Sequence, residues 1–162
     1  MSALPLLFLD VDGPLIPFGG GPYRTYPPAT PEDAHPLLGR IDPAHGPRLR
    51  ALPCELVWAT TWGQDANTTV APRLGLPPLP VAAWPDDPDE NTALHWKTRA
   101  LVARAAGRPF VWVDDEIRPP DVAWVTDHHP APALLHRVDP RRGLAQADYR
   151  AVAAWLHALP NP

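Results

Sequence analysis

A chain of 162 residues with 45% apolar content and seven tryptophans is long enough to bury a core as one domain, without disulfide or metal staples. Its net charge of −4 and pI of about 5.9 give no global basic field to draw it to nucleic acid or an anionic membrane, although a local basic patch is compatible with them. The single cysteine, Cys54, excludes an intrachain disulfide and any multi-cysteine zinc site; it fits a reducing compartment and, at the start of an apolar strand, reads as small core filler.

In chain order, the apolar run at 4–10 predicts a short buried strand. It is too short, and too soon interrupted by Asp10, for a signal peptide or membrane span, so the chain reads as soluble and cytoplasmic. A flap and a helix are expected over 14–52, the helix near 43–52. Then come a strand at 55–60, a helix at 64–74 and a strand at 80–83. A helix at 91–106 follows, with Asn91 as N-cap candidate, Leu94, Leu101, Val102 and Ala105 as its apolar face, and Gly107 closing it. A strand at 109–114, a helix near 120–128, a strand at 133–138 and a helix at 146–159 complete the chain. The last helix places Tyr149, Val152, Ala153, Leu156 and Leu159 on one apolar face. Most of the 25 prolines fall in connections, where a fixed φ and a missing donor do least harm. Strands that are apolar throughout and alternate with helices predict an α/β fold: a single domain over 1–162, three layers, with a central, mostly parallel five-stranded sheet.

The first strand ends on Asp10-Val11-Asp12-Gly13. Alternate residues of a strand point the same way, so Asp10 and Asp12 can face one site at the carboxyl edge, where ligands of open α/β sheets bind. Two carboxylates so close imply a metal or a shared proton, the chemistry of a nucleophile beside a general acid. Asp-x-Asp-Gly also opens calcium loops, but the further oxygen ligands and the glutamate of such a loop are missing. Solvated turn aspartates are the plain alternative.

Three more groups follow in register. The second strand ends on Thr60-Thr61-Trp62-Gly63, a hydroxyl and helix start suited to a phosphate oxygen or to an ordinary cap. Thirteen of the fourteen basic residues are arginine, so Lys97, expected within the 91–106 helix, stands out. Its compact ammonium can neutralise crowded carboxylates and phosphate oxygens. The fourth strand ends on Asp114-Asp115-Glu116; acids directly after a buried strand are costly unless solvated, paired or metal-bound, and Asp10 with Asp114 would offer Mg²⁺ a hard oxygen site.

This ordered set resembles the haloacid dehalogenase-like (HAD) superfamily, over residues 4–138. The matches are Asp10 and Asp12, Thr60, Lys97, and Asp114 with Asp115. Phosphoacceptor receiver domains use similar groups, but their acidic pair falls on the first strand. The stretch Trp58-Ala59-Thr60-Thr61-Trp62 also looks like a small bacterial subgroup related to HAD domains of RNA-repair proteins.

The resemblance implies a HAD-type Rossmann-like fold and Mg²⁺-dependent phosphoryl transfer to Asp10, followed by hydrolysis of the aspartyl phosphate. Asp10 would be nucleophile and metal ligand. Asp12 would be the general acid and base, its main-chain carbonyl reaching the metal. Thr60 and Lys97 would hold the phosphoryl oxygens, Asp114 would bind Mg²⁺, and Asp115 would support the site through water or by orienting Lys97. An acid at position 12 favours phosphatase over dehalogenase chemistry.

Neither gap between motifs leaves room for a full cap, so an open site is expected, suited to a protruding phosphate such as a nucleic-acid end or phosphoprotein, or to a small ligand covered by a partner subunit. The Gly19–Tyr26 segment reads as a substrate-facing flap, in which Tyr23 and Arg24 could stack on a base or grip a phosphate, or as a surface loop. Thr61 and Trp62 are further candidates for substrate contact, Trp62 equally for helix-to-sheet packing. The acidic run 86–90 reads as a solvated turn, Asp127-His128-His129 as an incomplete metal set, and Arg137, Arg141 and Arg142 as rim charges or a modest anion patch. The leading function is a phosphatase acting on an unidentified phosphorylated substrate. Its alternatives are a nucleic-acid end-processing phosphatase, disfavoured by charge, and a catalytically silent binding module, disfavoured because every motif position carries a competent residue.

Overall fold

The computed structural model describes residues 3–27, 35–86 and 93–161. Its strands are β1 (Leu6–Leu9), β2 (Glu55–Trp58), β3 (Phe110–Asp114) and β4 (Ala133–Arg137), all parallel, in the order β2-β1-β3-β4. Strand residues alternate between two apolar layers. Leu7, Leu9, Trp58, Val111 and Val113 pack on one face with Leu49, Val70, Leu74, Val152 and Leu156; Leu6, Phe8, Val57, Phe110 and Trp112 pack on the other with Leu101, Ala105 and Val125. Continuous apolar runs in sequence therefore mark strands covered on both sides. Burying each Leu or Phe of β1 is worth about 1.5–3 kcal/mol.

The first layer is built by α1 (His45–Arg50), α2 (Ala71–Leu74) and α5 (Gln146–Ala158), the second by α3 (Thr98–Ala105) and α4 (Pro119–His128). Both α4 and α5 start on an aspartate three residues in. Asp121 accepts the Arg118 N–H at 3.0 Å and Asp148 the Ala145 N–H at 2.7 Å, satisfying donors that a helix start leaves over. A wide π turn (Ala66–Val70) precedes α2, where Pro72 has no N–H to give an ordinary i→i−4 bond. Gly46 lets α1 approach α2: a Cβ there would lie 1.8 Å from the Leu74 carbonyl oxygen.

Two expectations change. The sheet has four strands, not five: residues 80–83 touch the β2 edge through one bridge, Trp58 to Val81. Pro77, Pro78, Pro80 and Pro85 remove ladder donors around it, and Asn67 holds the approach instead, its amide bonding both the N–H and the carbonyl of Leu79 at 2.8 Å. Further on, α3 begins at Thr98, so Lys97 is its N-cap residue rather than an interior one. His95 Nδ1 accepts the Lys97 N–H at 3.1 Å, a local side-chain bond that replaces helix. Asn91 and most of the 86–90 acidic run lie outside the described residues. Among the described residues, no helix is long and apolar enough to cross a membrane.

Candidate active site

Asp10 follows the end of β1, between β2 and β3, where the chain turns from building one side of the sheet to the other. Its N–H donates to the Val113 carbonyl at 3.1 Å, and the Ala59 N–H donates to the Leu9 carbonyl at 2.8 Å. These bonds bring the ends of three strands, with Asp10, Thr60 and Asp114, to one edge.

Lys97 reaches this edge from the other chain layer and is buried. Its Nζ donates to Asp114 Oδ2 and to the Ala59 carbonyl, both at 2.8 Å, and lies 3.4 Å from Asp10 Oδ1. The rings of Trp96 and Trp84 present their faces to the ammonium at 5.4 and 5.9 Å. Asp114 is fully buried; its Oδ2 also accepts the Trp112 Nε1–H at 3.2 Å, and its Oδ1 the Glu116 N–H at 3.0 Å. The ammonium is thus oriented by Asp114; of the two supporting roles expected for Asp115, through water or by orienting Lys97, the second falls to its neighbour.

Asp115 instead joins Asp10 and Asp114, with carboxylate oxygens of all three within 4.8 Å of one another. It fits there because Gly13 has φ +100° and no side chain: a Cβ at Gly13 would sit 2.7 Å from the Asp115 carboxyl carbon. Asp12 stands outside this set of three, its Oδ2 accepting the Trp62 Nε1–H at 3.1 Å. Thr60, fully buried, accepts the Trp62 N–H on its hydroxyl at 3.2 Å and so does cap the following turn. Trp62 packs on the core while holding Asp12, and Thr61 is exposed beside it.

Burial pushes the Asp10 carboxyl up to about 7; Lys97 opposes that shift and Asp114 adds to it. Burial, with Asp114 next to it, raises Asp115 to about 6. Three carboxylates against one ammonium leave two negative charges, and all the donors are hard oxygens. Such an all-oxygen, net-negative set fits Mg²⁺, a hard cation that would share these carboxylates with water and phosphate oxygens. Below their raised pKa values the two carboxyls hold protons that a cation must displace. Added Mg²⁺ is therefore expected to raise the melting temperature, and by more at pH 8 than at pH 5. Differential scanning fluorimetry at both pH values checks this, and an equal gain at both would contradict it.

The family profile for the HAD domain in Swiss Army Knife RNA repair proteins matches residues 6–149. The chain belongs to this family. Searches of the curated proteins and of the solved structures return no match. Membership places the chain among HAD-type hydrolases, whose members generally use Mg²⁺.

Several groups of this HAD domain were not foreseen in the sequence. Asp121, at the start of α4, accepts the His95 N–H and the Thr98 hydroxyl, both at 2.8 Å, and so fixes the turn that aims Lys97. With its Nδ1 accepting from Lys97, His95 bonds Glu116 through Nε2 at 3.2 Å. No spacing rule connects 95, 116 and 121; they meet only because α3 and α4 pack together. Conversely, Tyr23 and Arg24 do not contact the acid cluster. The Tyr23 hydroxyl oxygen accepts the Gly20 N–H at 2.6 Å and its ring lies under the Arg40 guanidinium, and both Tyr23 and Arg24 line a neighbouring cavity. His128 Nδ1 and His129 Nε2 bond the backbone carbonyls of Trp124 and Arg108, so they do not form a metal set.

Proposed function

We propose that this HAD domain is a Mg²⁺-dependent phosphatase that transfers the phosphoryl group of a monoester to Asp10 and then hydrolyses the aspartyl phosphate. The observation that carries this reading is the buried Lys97 ammonium held between Asp10 and Asp114, with Asp115 closing a three-carboxylate cluster. Asp10, Asp114 and Asp115, with the Asp12 carbonyl, are the groups to hold Mg²⁺. When bound, the ion neutralises the carboxylates and the phosphoryl oxygens and so lets an anionic nucleophile meet an anionic substrate.

In the first half-reaction an Asp10 oxygen attacks phosphorus and the ester oxygen leaves. Asp12 gives that oxygen a proton, in an orientation fixed by the Trp62 indole. In the second, Asp12 takes a proton from water as the water attacks phosphorus, and the Asp10–phosphoryl bond breaks to release phosphate. Lys97 and the Thr60 hydroxyl bind the phosphoryl oxygens, and the Trp84 and Trp96 rings keep water from Lys97. Gaps between motifs too short for a full cap would leave the edge open, which suits a phosphate that protrudes from a larger molecule. The match to RNA-repair HAD domains favours a nucleic-acid end as such a molecule.

The test is hydrolysis of an aryl phosphate with and without Mg²⁺. Turnover lost on chelation and restored by Mg²⁺ is expected, and metal-independent turnover would contradict the reading. Asp12→Asn is expected to lower turnover of an alkyl phosphate by about 10²–10⁴-fold and of an activated aryl phosphate by much less, because only the poor leaving group needs the proton. Equal losses on both would remove Asp12 as the acid.

A further inference from the structure

A second charged feature lies beside the acid cluster. A cavity of about 190 Å³ opens between the Gly13–Pro14 turn, the 17–26 segment, α1 and the loop after β4. Arg24, Arg40, Arg48 and Arg142 line it, four of the chain's 14 basic residues in a protein of net charge −4. The one carboxylate in the lining, Asp42, is engaged by the Ala44 N–H at 2.9 Å and by the Tyr26 hydroxyl. Four guanidiniums less that carboxylate leave three positive charges, with burial lowering the pKa of His45 at the floor. Their mutual repulsion is unfavourable until an anion arrives.

No described carboxylate lies in ion-pair range of these arginines. Three are stacked on aromatic faces instead: Arg40 over Tyr23 at 4.8 Å, Arg24 over Tyr26 at 5.1 Å and Arg48 over Tyr149 at 5.7 Å. Ring contact holds the plane of a guanidinium while leaving its in-plane N–H fork free for phosphate oxygens. Arg40 gives one donor to the Pro17 carbonyl at 2.9 Å and keeps the others.

Position links this cavity to catalysis. Pro14 is two residues past Asp12, at most about 7 Å of chain. The Leu144 N–H donates to the Pro14 carbonyl at 2.8 Å, which ties the loop bearing Arg142 to that turn. Because β1 and β4 are parallel, both loops stand on the edge that carries Asp10. The volume equals about six waters, enough for one phosphate with part of its ester.

We propose that this cavity holds a second phosphate that the substrate retains, so that the enzyme prefers molecules with two phosphate groups and removes the one presented to Asp10. The removed phosphate rests on the phosphatase reading above; the anion pocket does not. A polynucleotide end and a nucleoside bisphosphate both supply the retained group, as a diester or a monoester.

Calorimetric titration of the Asp10→Asn protein in Mg²⁺ tests this, with adenosine 3′,5′-bisphosphate against adenosine 5′-monophosphate. The bisphosphate is expected to bind at least about tenfold more tightly, and Arg48→Ala with Arg142→Ala to remove the difference. Both side chains are exposed, and retained far-UV circular dichroism identifies folded variants. Equal binding of the two ligands, or a preference that survives both substitutions, would overturn the proposal. A short oligonucleotide with a terminal phosphate separates the sources: binding as tight as the bisphosphate assigns the pocket to a diester, weaker binding to a monoester. Absent aryl-phosphate turnover with the arginine-dependent preference intact would remove the phosphatase reading and keep the pocket. Turnover without that preference would do the reverse.

Discussion

Asp10→Asn is expected to abolish phosphatase turnover, by more than about 10⁴-fold, and at the same time to stabilise the metal-free fold above neutral pH. The two effects have one origin. Asp10 is buried and lies near Asp114, so ionising it in the folded state is unfavourable and its pKa rises to about 7, above the ordinary 3.8. A carboxyl whose folded pKa is raised binds protons in the native state that the unfolded chain has already released. Stability of the metal-free protein therefore falls as pH climbs from about 4 to about 7, and stays low above that. Asparagine keeps the shape, never ionises, and leaves Lys97 its 2.8 Å partner Asp114. Thermal melts across pH, run on both proteins without metal, check the point: the variant should lack the Asp10 part of the slope and melt higher at pH 8. A variant that melts lower at pH 8, or that still turns over, would contradict the assignment.

Lys97→Met should produce the largest loss of stability of any single change at the site. Methionine fills a similar volume but leaves Asp114, Asp10 and the Ala59 carbonyl without the ammonium that joins them. Removing one partner from a buried ion pair costs about 3–5 kcal/mol, because the remaining charge stays buried. The sign with pH follows from the same linkage: Lys97 lowers the Asp10 pKa, so without it Asp10 holds its proton to still higher pH. The deficit should be largest in alkaline, metal-free buffer and shrink in acid or with Mg²⁺. Turnover should fall as well, since the charge on the phosphoryl oxygens loses its fixed cation. Urea denaturation at pH 6 and pH 8 measures the stability part, and a loss under about 1 kcal/mol at pH 8 would mean that the ammonium is not what holds the acids together.

Much of the site is legible because Asp10, Thr60 and Asp114 stand at the ends of short apolar strands, and strand ends of a parallel sheet share one edge. Asp10, Thr60 and Asp114 needed only that rule. Lys97 stands out by its solitude among arginines, but it precedes α3 rather than lying inside a helix, because its N–H donates to His95 Nδ1 and sets the turn there. Such bonds leave no periodic trace. The same holds for Asp121, which caps the start of α4 and also clamps residues 95–98. The fifth strand differs for another reason: residues 80–83 do lie along the β2 edge, but only Ala82 is buried there, and the prolines around it remove the donors of a ladder. Arginines 24, 40, 48 and 142 lie far apart in sequence, and only the fold brings them to one cavity.

The most direct test of the account is to mix the protein with Mg²⁺ and an excess of aryl phosphate, quench in acid within the first turnover, and map the peptides by mass spectrometry. The account predicts one phosphoryl group on the peptide containing Asp10, absent from the Asp10→Asn protein. Steady turnover with no phosphorylated peptide, or with the group on another residue, would contradict covalent catalysis at Asp10.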